Sequence, residues 1–591
     1  MKKMRKLMAL VIAMVMIVST MSMTAFAAPA PVDAGSYDPT LTVSGTAAGD
    51  TLSFYKVIEW VGEAQGNVGG WAARAPYAGV LTDAVLAQIL GVGQTATGIT
   101  SDIAGKLARA AASDTAVQSD TLTSLDVTAS DDLGPGTYLV LINPADPEMV
   151  YNPVIVSSDF TMDNPEVDVK KDAYADAVAK YSKPELDKTA ATSEDAWDDN
   201  KWTTTAIGDE VTFTVKTTIP GYGELYQNPY FAVHDKLTDL TLNLDSVTVA
   251  DPTSLTKGTE YTVVQEGNGF KLEFATDFLK TVKTPTAVEI TYTAIVSTTA
   301  PVHVNTEKNE VSTVFSHIPT SENDYAFKKD TTEHYTFALD ASGLGGYSDQ
   351  FGRWTSELVK IGTNPDGTPI TSEKIYSKVD PRNYYEGPLE GAEFKLYTDP
   401  NCNNEYIPKN PDGSAGTAPL TLKSGADGRF EIKGLDAGTY YLLETKAPAG
   451  YIRDTNPHTI IINAETESVD VTEYTLDGVD WISEEDYNAL ADKTGYKSYK
   501  FATDVLKSYD ITIDNKPTAH YEFTNKGTDA EIVWTEDPVS PSEDPFEIDN
   551  PKGVELPSTG GIGTTLFYIV GAVLVVGAGI VLVTRRRMSA R

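Results

Sequence analysis

Apolar and polar residues alternate in short runs along most of the chain. EVTFTVKTTI (210–219), AVEITYTAIVST (287–298), GRFEIKGL (428–435), TYYLLETKA (439–447) and HTIIINA (458–464) are rich in Val, Thr, Tyr and Ile. A period of two sends successive side chains to opposite faces, so each run predicts a strand with one buried face. Turn clusters such as NPDG, GADG and APAG separate the runs. Together they predict a mostly β chain of tandem antiparallel β-sandwiches. Helical periodicity replaces the alternation between Thr82 and Ala112, in LTDAVLAQIL and IAGKLARAAA, and again in SEEDYNALADK near Tyr487.

The two ends carry a different pattern. Lys2, Lys3, Arg5 and Lys6 precede an apolar run to about Val18, and Ala25-Phe26-Ala27 is an A-x-A site. Residues 1–27 therefore predict a secretory signal peptide, with the mature chain starting at Ala28. At the far end 564–584 holds no charge and is long enough to cross a bilayer as a helix. Arg585, Arg586 and Arg587 follow at once, so 585–591 reads as a cytoplasmic basic tail and the body of the chain lies outside the cell.

A chain of 591 residues is too long for one core. Composition suggests three units, at 28–170, 171–332 and 333–553. The charged stretch DVKKDAYADAVAKYSKP (168–184) reads as a linker, and the second fold starts near Lys183. The Pro- and acid-rich tail DPVSPSEDPFEIDNPKG looks like a linker too, except that FEID alternates. A net charge of −38 argues against nucleic acid or an anionic membrane surface as partner. The single cysteine, Cys402 in the loop DPNCNN, rules out an internal disulfide. Secreted chains commonly use disulfides as staples, so any covalent staple here must be of another kind. With six histidines and no clustered ligand spacing, no metal or cofactor is expected, and no site for turnover is apparent.

LPSTG at 556–560 stands directly before the apolar span and the arginines. This arrangement resembles the LPXTG wall-sorting signal. The resemblance implies cleavage by a sortase between Thr559 and Gly560, with Thr559 held as an acyl-enzyme and passed to an amine. GTYYLLETKAPAGY (438–451) is similar to the E-box of Gram-positive pilins and of the Cna B-type adhesin domain. The preceding GPLEGAEFKLYTD, with Gly387 and Phe394, is similar to that domain's early strands. The family implies an immunoglobulin-like (Cna-type) sandwich. In it a lysine of the first strand and an asparagine of the last join as an amide, assisted by the E-box acid.

On that match Glu444 is the acid and Lys360, in ELVKIG, the nucleophile. Asn550, in FEIDNPKG, is favoured as the partner, with Asn515 in ITIDNKP and Asn525 in YEFTNKG left open. In the second unit KPELDKT, IGDEVTFTVKTTIPGY, FAVHDKLTDLTL and KNEVSTVF resemble the middle domain of pilus backbone subunits. That match implies a Lys188–Asn309 bond with Asp235 as acid. In the first unit GPGTYLVLINPADP has the outline of an E-box, but Ile142 stands where the acid would be, so no E-box-dependent bond is expected there. The residue types suit the chemistry. Burial lowers a lysine pKa and frees the amine, pushes a carboxyl towards its neutral form, and folding supplies proximity.

The resemblance also implies a lysine that accepts the next subunit's Thr559. Val167-Asp168-Val169-Lys170-Lys171 has the strand and the lysine of the pilin motif but lacks its Tyr-Pro. Lys171 is the first choice, then Lys170 and Lys183. The implied function is the structural shaft subunit of a covalent, wall-anchored pilus, and the alternative is a monomeric LPXTG-anchored adhesin that binds a host ligand. The implied partners are a class C (pilus) sortase, identical subunits, and peptidoglycan through a housekeeping sortase, with room for minor pilins and host surface ligands. The internal chemistry is single-turnover, so the chain is not read as an enzyme.

Overall fold

The computed structural model describes residues 41–61, 71–90, 97–122, 127–129, 133, 136–158, 176–192, 201–223, 225–297, 304–319, 321, 323–340, 358–376, 384–522, 524–525, 530–531, 546–553 and 562–588. The first part centres on the antiparallel strands Thr51–Trp60, Gly136–Asn143 and Val154–Ser158. The helices Asp83–Leu90 and Ser101–Ala111 fall where the helical periodicity predicts them. Thr100 caps the second, its hydroxyl accepting from the Ile103 N–H at 3.3 Å. Ile142 is buried in this part's apolar core, so a hydrocarbon side chain occupies the E-box acid's position.

The expected linker behaves differently from a linker over its second half. Asp176–Val178 runs parallel to Leu41–Ser44, and Tyr181–Ser182 pairs with Val150–Tyr151. Residues 176–182 therefore lie on the first sheets. Its charged residues hid this, because edge strands two or three residues long carry no readable alternation.

Two sheets face each other in the next part. One is ordered Leu186–Thr192, Glu210–Ile219, Thr286–Val296, Leu240–Asp251. The other contains Tyr325–Asp340, Val304–Ser316, Phe231–Thr238, Gly269–Phe274 and Tyr261–Glu266 in that order. The alternating residues Val211, Phe213, Val215 and Ile219 all point inward, as their period predicts. A short helix, Thr276–Thr281, is too brief to leave a periodic signal.

In the last part Glu393–Tyr397, Gly438–Lys446, His458–Thr475, Lys497–Ile513 and Lys516–Glu522 pair in sequence. The strand Leu358–Thr363 pairs in parallel with Phe546–Pro551, so the alternating FEID belongs to a core strand. Two features join this part to the one before it. Tyr325–Asp340 pairs along its length with Val304–Ser316 and, at its end, with Glu431–Leu435. The far half of the hairpin His458–Thr475/Lys497–Ile513 lies on the preceding part, where Thr503 meets Thr331 at 2.8 Å and Trp481 packs edge-on to Phe327.

The helix Ile562–Met588 ends in Arg585, Arg586 and Arg587. Its stretch Ile569–Met588 is long and apolar enough to cross a membrane, and none of the described residues buries it.

Candidate functional site

Two of the buried lysines, Lys360 and Lys188, each lie near an asparagine and an acid. The first lies between the terminal strands of the last part. All six residues of Leu358–Thr363 are buried, so alternation does not expose Lys360. The parallel partner Phe546–Pro551 covers one edge. On the other side the Lys360 N–H donates to the Gly428 carbonyl at 2.8 Å and the Lys360 carbonyl accepts from Leu389 N–H at 2.9 Å. Gly428 has φ +78, and a Cβ there would lie 2.4 Å from the Lys360 oxygen, so only glycine fits.

Lys360 Nζ donates to Asn550 Oδ1 at 2.6 Å. Asn550 Nδ2 donates to Glu444 Oε1 at 2.7 Å, and that oxygen is 3.6 Å from Lys360 Nζ. Glu444 Oε2 accepts from the Asp454 N–H at 2.7 Å, which fixes the carboxylate. The Phe394 ring centre is 5.6 Å from the amine. Burial pushes the Lys360 ammonium down to about 8, although Glu444, Asp454 and Asp549 pull the other way. A sizeable fraction of neutral amine thus faces an amide carbon whose oxygen it already touches.

Asn515 sits elsewhere, exposed at the tip of the hairpin between Lys497–Ile513 and Lys516–Glu522, with φ +62. Asn525 belongs to the two-residue strand Thr524–Asn525, which pairs with Ala530–Glu531. Of the three asparagines, Asn550 is the one hydrogen-bonded to Lys360.

The second set spans the sandwich before it. Lys188 and Tyr292 project from one sheet, Asp235 and Asn309 from the other. Lys188 and Asn309 are fully buried. Lys188 Nζ donates to Asp235 Oδ2 at 2.5 Å and to the Tyr292 hydroxyl at 2.5 Å. The Tyr292 hydroxyl donates to Asp235 Oδ2 at 2.5 Å and accepts from Asn309 Nδ2 at 2.9 Å. The rings of Phe213 and Tyr292 each lie 5.2 Å from the amine. Burial drives Lys188 down and Asp235 up, both towards neutrality, against their mutual attraction. Gly269 packs on the Asp235 backbone so closely that a Cβ would stand 1.7 Å from its oxygen.

Tyr292 escaped the sequence reading. Its signal was present, since it occupies an inward position of AVEITYTAIV, between Ile290 and Ala294, where a hydroxyl needs a partner.

Lys183 is exposed and bridges Asp146 and Glu148 at 2.9 Å each. Burial would lower its pKa, but these carboxylates raise it on balance. Lys170, Lys171, Thr559, Gly560 and the predicted signal peptide lie outside the described residues.

Comparison with known proteins bears on these sets. Residues 375–475, which include Glu444, match a family described as a prealbumin-like fold domain, and 548–589, which include Asn550 and LPSTG, match the LPXTG cell wall anchor motif. The chain is similar to the trypsin-resistant surface T6 protein of Streptococcus pyogenes serotype M6, 25% identical over 490 residues that make up 77% of this chain and 79% of that one. Among solved structures, the T6 backbone pilin of serotype M6 Streptococcus pyogenes aligns with a TM-score of 0.49 at 20% identity, covering 88% of this chain and all of that one. The full-length major pilin SpaD of Corynebacterium diphtheriae aligns with a TM-score of 0.36 at 19% identity, over 70% of this chain and 88% of that one.

Proposed function

We propose that this wall-anchored surface protein is the shaft subunit of a covalent surface pilus, a backbone pilin whose domains are stapled by lysine–asparagine amide bonds. The carrying observation is the closure of the last sandwich. Its first and last strands lie side by side, with Lys360 Nζ 2.6 Å from the Asn550 oxygen, and the last strand leads into the anchor region.

The chemistry runs once in each of the two stapled domains. The Lys360 amine attacks the Asn550 amide carbon. Glu444, hydrogen-bonded to Nδ2, takes a proton from the attacking nitrogen and passes one to the departing nitrogen. The new amide forms, the bond to Nδ2 breaks and ammonia leaves. Lys188, Asn309 and Asp235 form the corresponding set in the middle domain. Tension arriving at the end of Phe546–Pro551 then crosses directly to Leu358–Thr363, bypassing the sheets between them.

Polymerisation uses the other chemistry. A class C sortase cleaves between Thr559 and Gly560 and transfers Thr559 to a lysine of the next subunit. Lys171 is the first candidate, then Lys170 and Lys183. A housekeeping sortase links the base to peptidoglycan.

The test is a gel of wall extract boiled in detergent. A shaft subunit gives a ladder of very large species, and a monomeric adhesin gives a single band. Changing Lys170, Lys171 and Lys183 together to Arg keeps the charge but removes a usable nucleophile, so the ladder should vanish. A ladder that survives the triple change excludes these acceptors.

A further inference from the structure

The two buried sets differ in one respect. In the last part the acid reaches the asparagine directly, through Asn550 Nδ2 and Glu444 Oε1 at 2.7 Å. In the middle part Asp235 holds the lysine instead, at 2.5 Å, and no hydrogen bond joins it to Asn309 among the described residues. The asparagine nitrogen, which must leave as ammonia, donates to the Tyr292 hydroxyl at 2.9 Å. That hydroxyl in turn donates to Asp235 Oδ2 at 2.5 Å and accepts from the Lys188 amine at 2.5 Å. Among the described residues, Tyr292 is thus the one group touching nucleophile, acid and leaving group.

We infer that Tyr292 is a catalytic residue of the middle domain, the proton relay that carries a proton from Asp235 to the departing Asn309 nitrogen. The inference rests on reading this set as a bond-forming site. The proton balance follows from the contacts. Asp235 accepts one proton from the Lys188 ammonium and leaves a free amine. The amine attacks the Asn309 amide carbon. Tyr292 gives its hydroxyl proton to Nδ2 and recovers one from the Asp235 carboxyl. Asp235 then takes the surplus proton of the attacking nitrogen. A Lys188–Asn309 amide forms, the bond to Nδ2 breaks, ammonia departs, and Tyr292 ends as it began.

The surroundings suit this role. Tyr292 is buried, stacked on Phe213 with ring centres 5.1 Å apart and set edge-on to Phe270 at 4.9 Å. Its ring is fixed by packing, so the hydroxyl needs no reorganisation when the proton moves. Burial and Asp235 hold the phenol well above its ordinary pKa, so it stands protonated, as a donor to a leaving group must.

The experiment uses the full chain made by cell-free synthesis and sampled over time. Peptide mapping follows the Lys188–Asn309 and Lys360–Asn550 cross-linked peptides separately. Tyr292→Phe keeps the packing ring and removes the hydroxyl. The middle-domain peptide should form about 100-fold more slowly or worse, the usual scale of general acid–base catalysis, while the Lys360–Asn550 peptide keeps its parent rate. A Y292F chain that forms both at parent rates overturns the relay alone. A parent chain with no Lys188–Asn309 peptide overturns the bond itself, and the relay with it. Should Y292F fail to fold, 3-fluorotyrosine at position 292 keeps the hydroxyl and makes it more acidic. The pH profile of middle-domain bond formation should then move to lower pH, and an unmoved profile overturns the relay.

Discussion

Lys360 and Lys329 are both buried lysines beside carboxylates, and their surroundings set them apart. Lys360 has one acid at 3.6 Å and an amide oxygen at 2.6 Å, and burial brings it down to about 8. Lys329 pairs with Glu473 and, at 2.6 Å, with Glu310. Burial alone would raise Glu310, but Lys329 and Lys308 hold it down to about 2, so this cluster is an ion pair rather than a reacting one. For Lys360 the sign is fixed by the direction of the shift. Below about pH 8 the ammonium dominates and the attacking amine falls roughly tenfold per pH unit. Formation of the Lys360–Asn550 peptide should therefore quicken up to about pH 8 and level off above it. A rate indifferent to pH between 6 and 8, on the order of two units, would show that Lys360 is not the rate-setting base. Glu444→Ala should leave the last domain one ammonia heavier by intact mass than the substitution alone accounts for. It should also lower stability by about 4–5 kcal/mol, the scale expected when a tie across more than a hundred residues is lost. A mass lower than the parent's by the Glu-to-Ala difference alone would remove Glu444 from the mechanism. Lys360, Glu444 and Asn550, which the structure brings together, were legible as motif residues. Tyr292 was not, because an inward tyrosine in a strand looks the same whether its hydroxyl meets a backbone carbonyl or a reacting amide.

At the scale of elements, the hairpin His458–Thr475/Lys497–Ile513 is the one whose reach exceeds its local pattern. Alternation predicts its strands, and the short helix Glu484–Ala489 near its tip follows the expected signal, with Ser483 capping it through the Asp486 N–H at 3.0 Å. What alternation does not reveal is where the far half lies. Thr503 on Thr331, Trp481 on Phe327 and Glu473 on Lys329 set it against the preceding sandwich. Lys497 adds an ion pair with Asp324 at 2.9 Å. Glu473→Ala leaves Lys329 with Glu310 as its remaining carboxylate partner. The change should cost about 2 kcal/mol, the scale of a hydrogen bond to a charged group. Protease cleavage near the hairpin tip should then appear before the sandwich cores open, and an unaltered digestion pattern would count against the clasp. The pH direction follows from Glu310. Its folded pKa lies below the ordinary 4.5, so its contribution is fully present above about 4.5 and fades as pH falls towards 2.

At the scale of the whole molecule, the chain is a succession of β-sheet parts followed by an apolar helix. Deleting 564–591 removes the apolar, arginine-capped end, so the protein should pass into the medium instead of the wall fraction. Continued wall attachment would require another anchoring signal. Strand content, the helices of the first part, the wall-sorting end and the lack of disulfides were all determined by the sequence itself. They depend on local period, on length against bilayer thickness, and on counting cysteines, and each of these is written in consecutive residues. The tertiary structure alone decided four other features. It laid Leu358–Thr363 against Phe546–Pro551, which makes Asn550 rather than Asn515 or Asn525 the neighbour of Lys360. It folded Asp176–Ser182 back on the first sheets, extended the sheet of Tyr325–Asp340 to Glu431–Leu435, and set Tyr292 between two sheets. The physical reason is common to all four. Strand pairing and sandwich packing join residues far apart in the chain, and which distant partner is met depends on the closure of the whole core, not on any period within a strand.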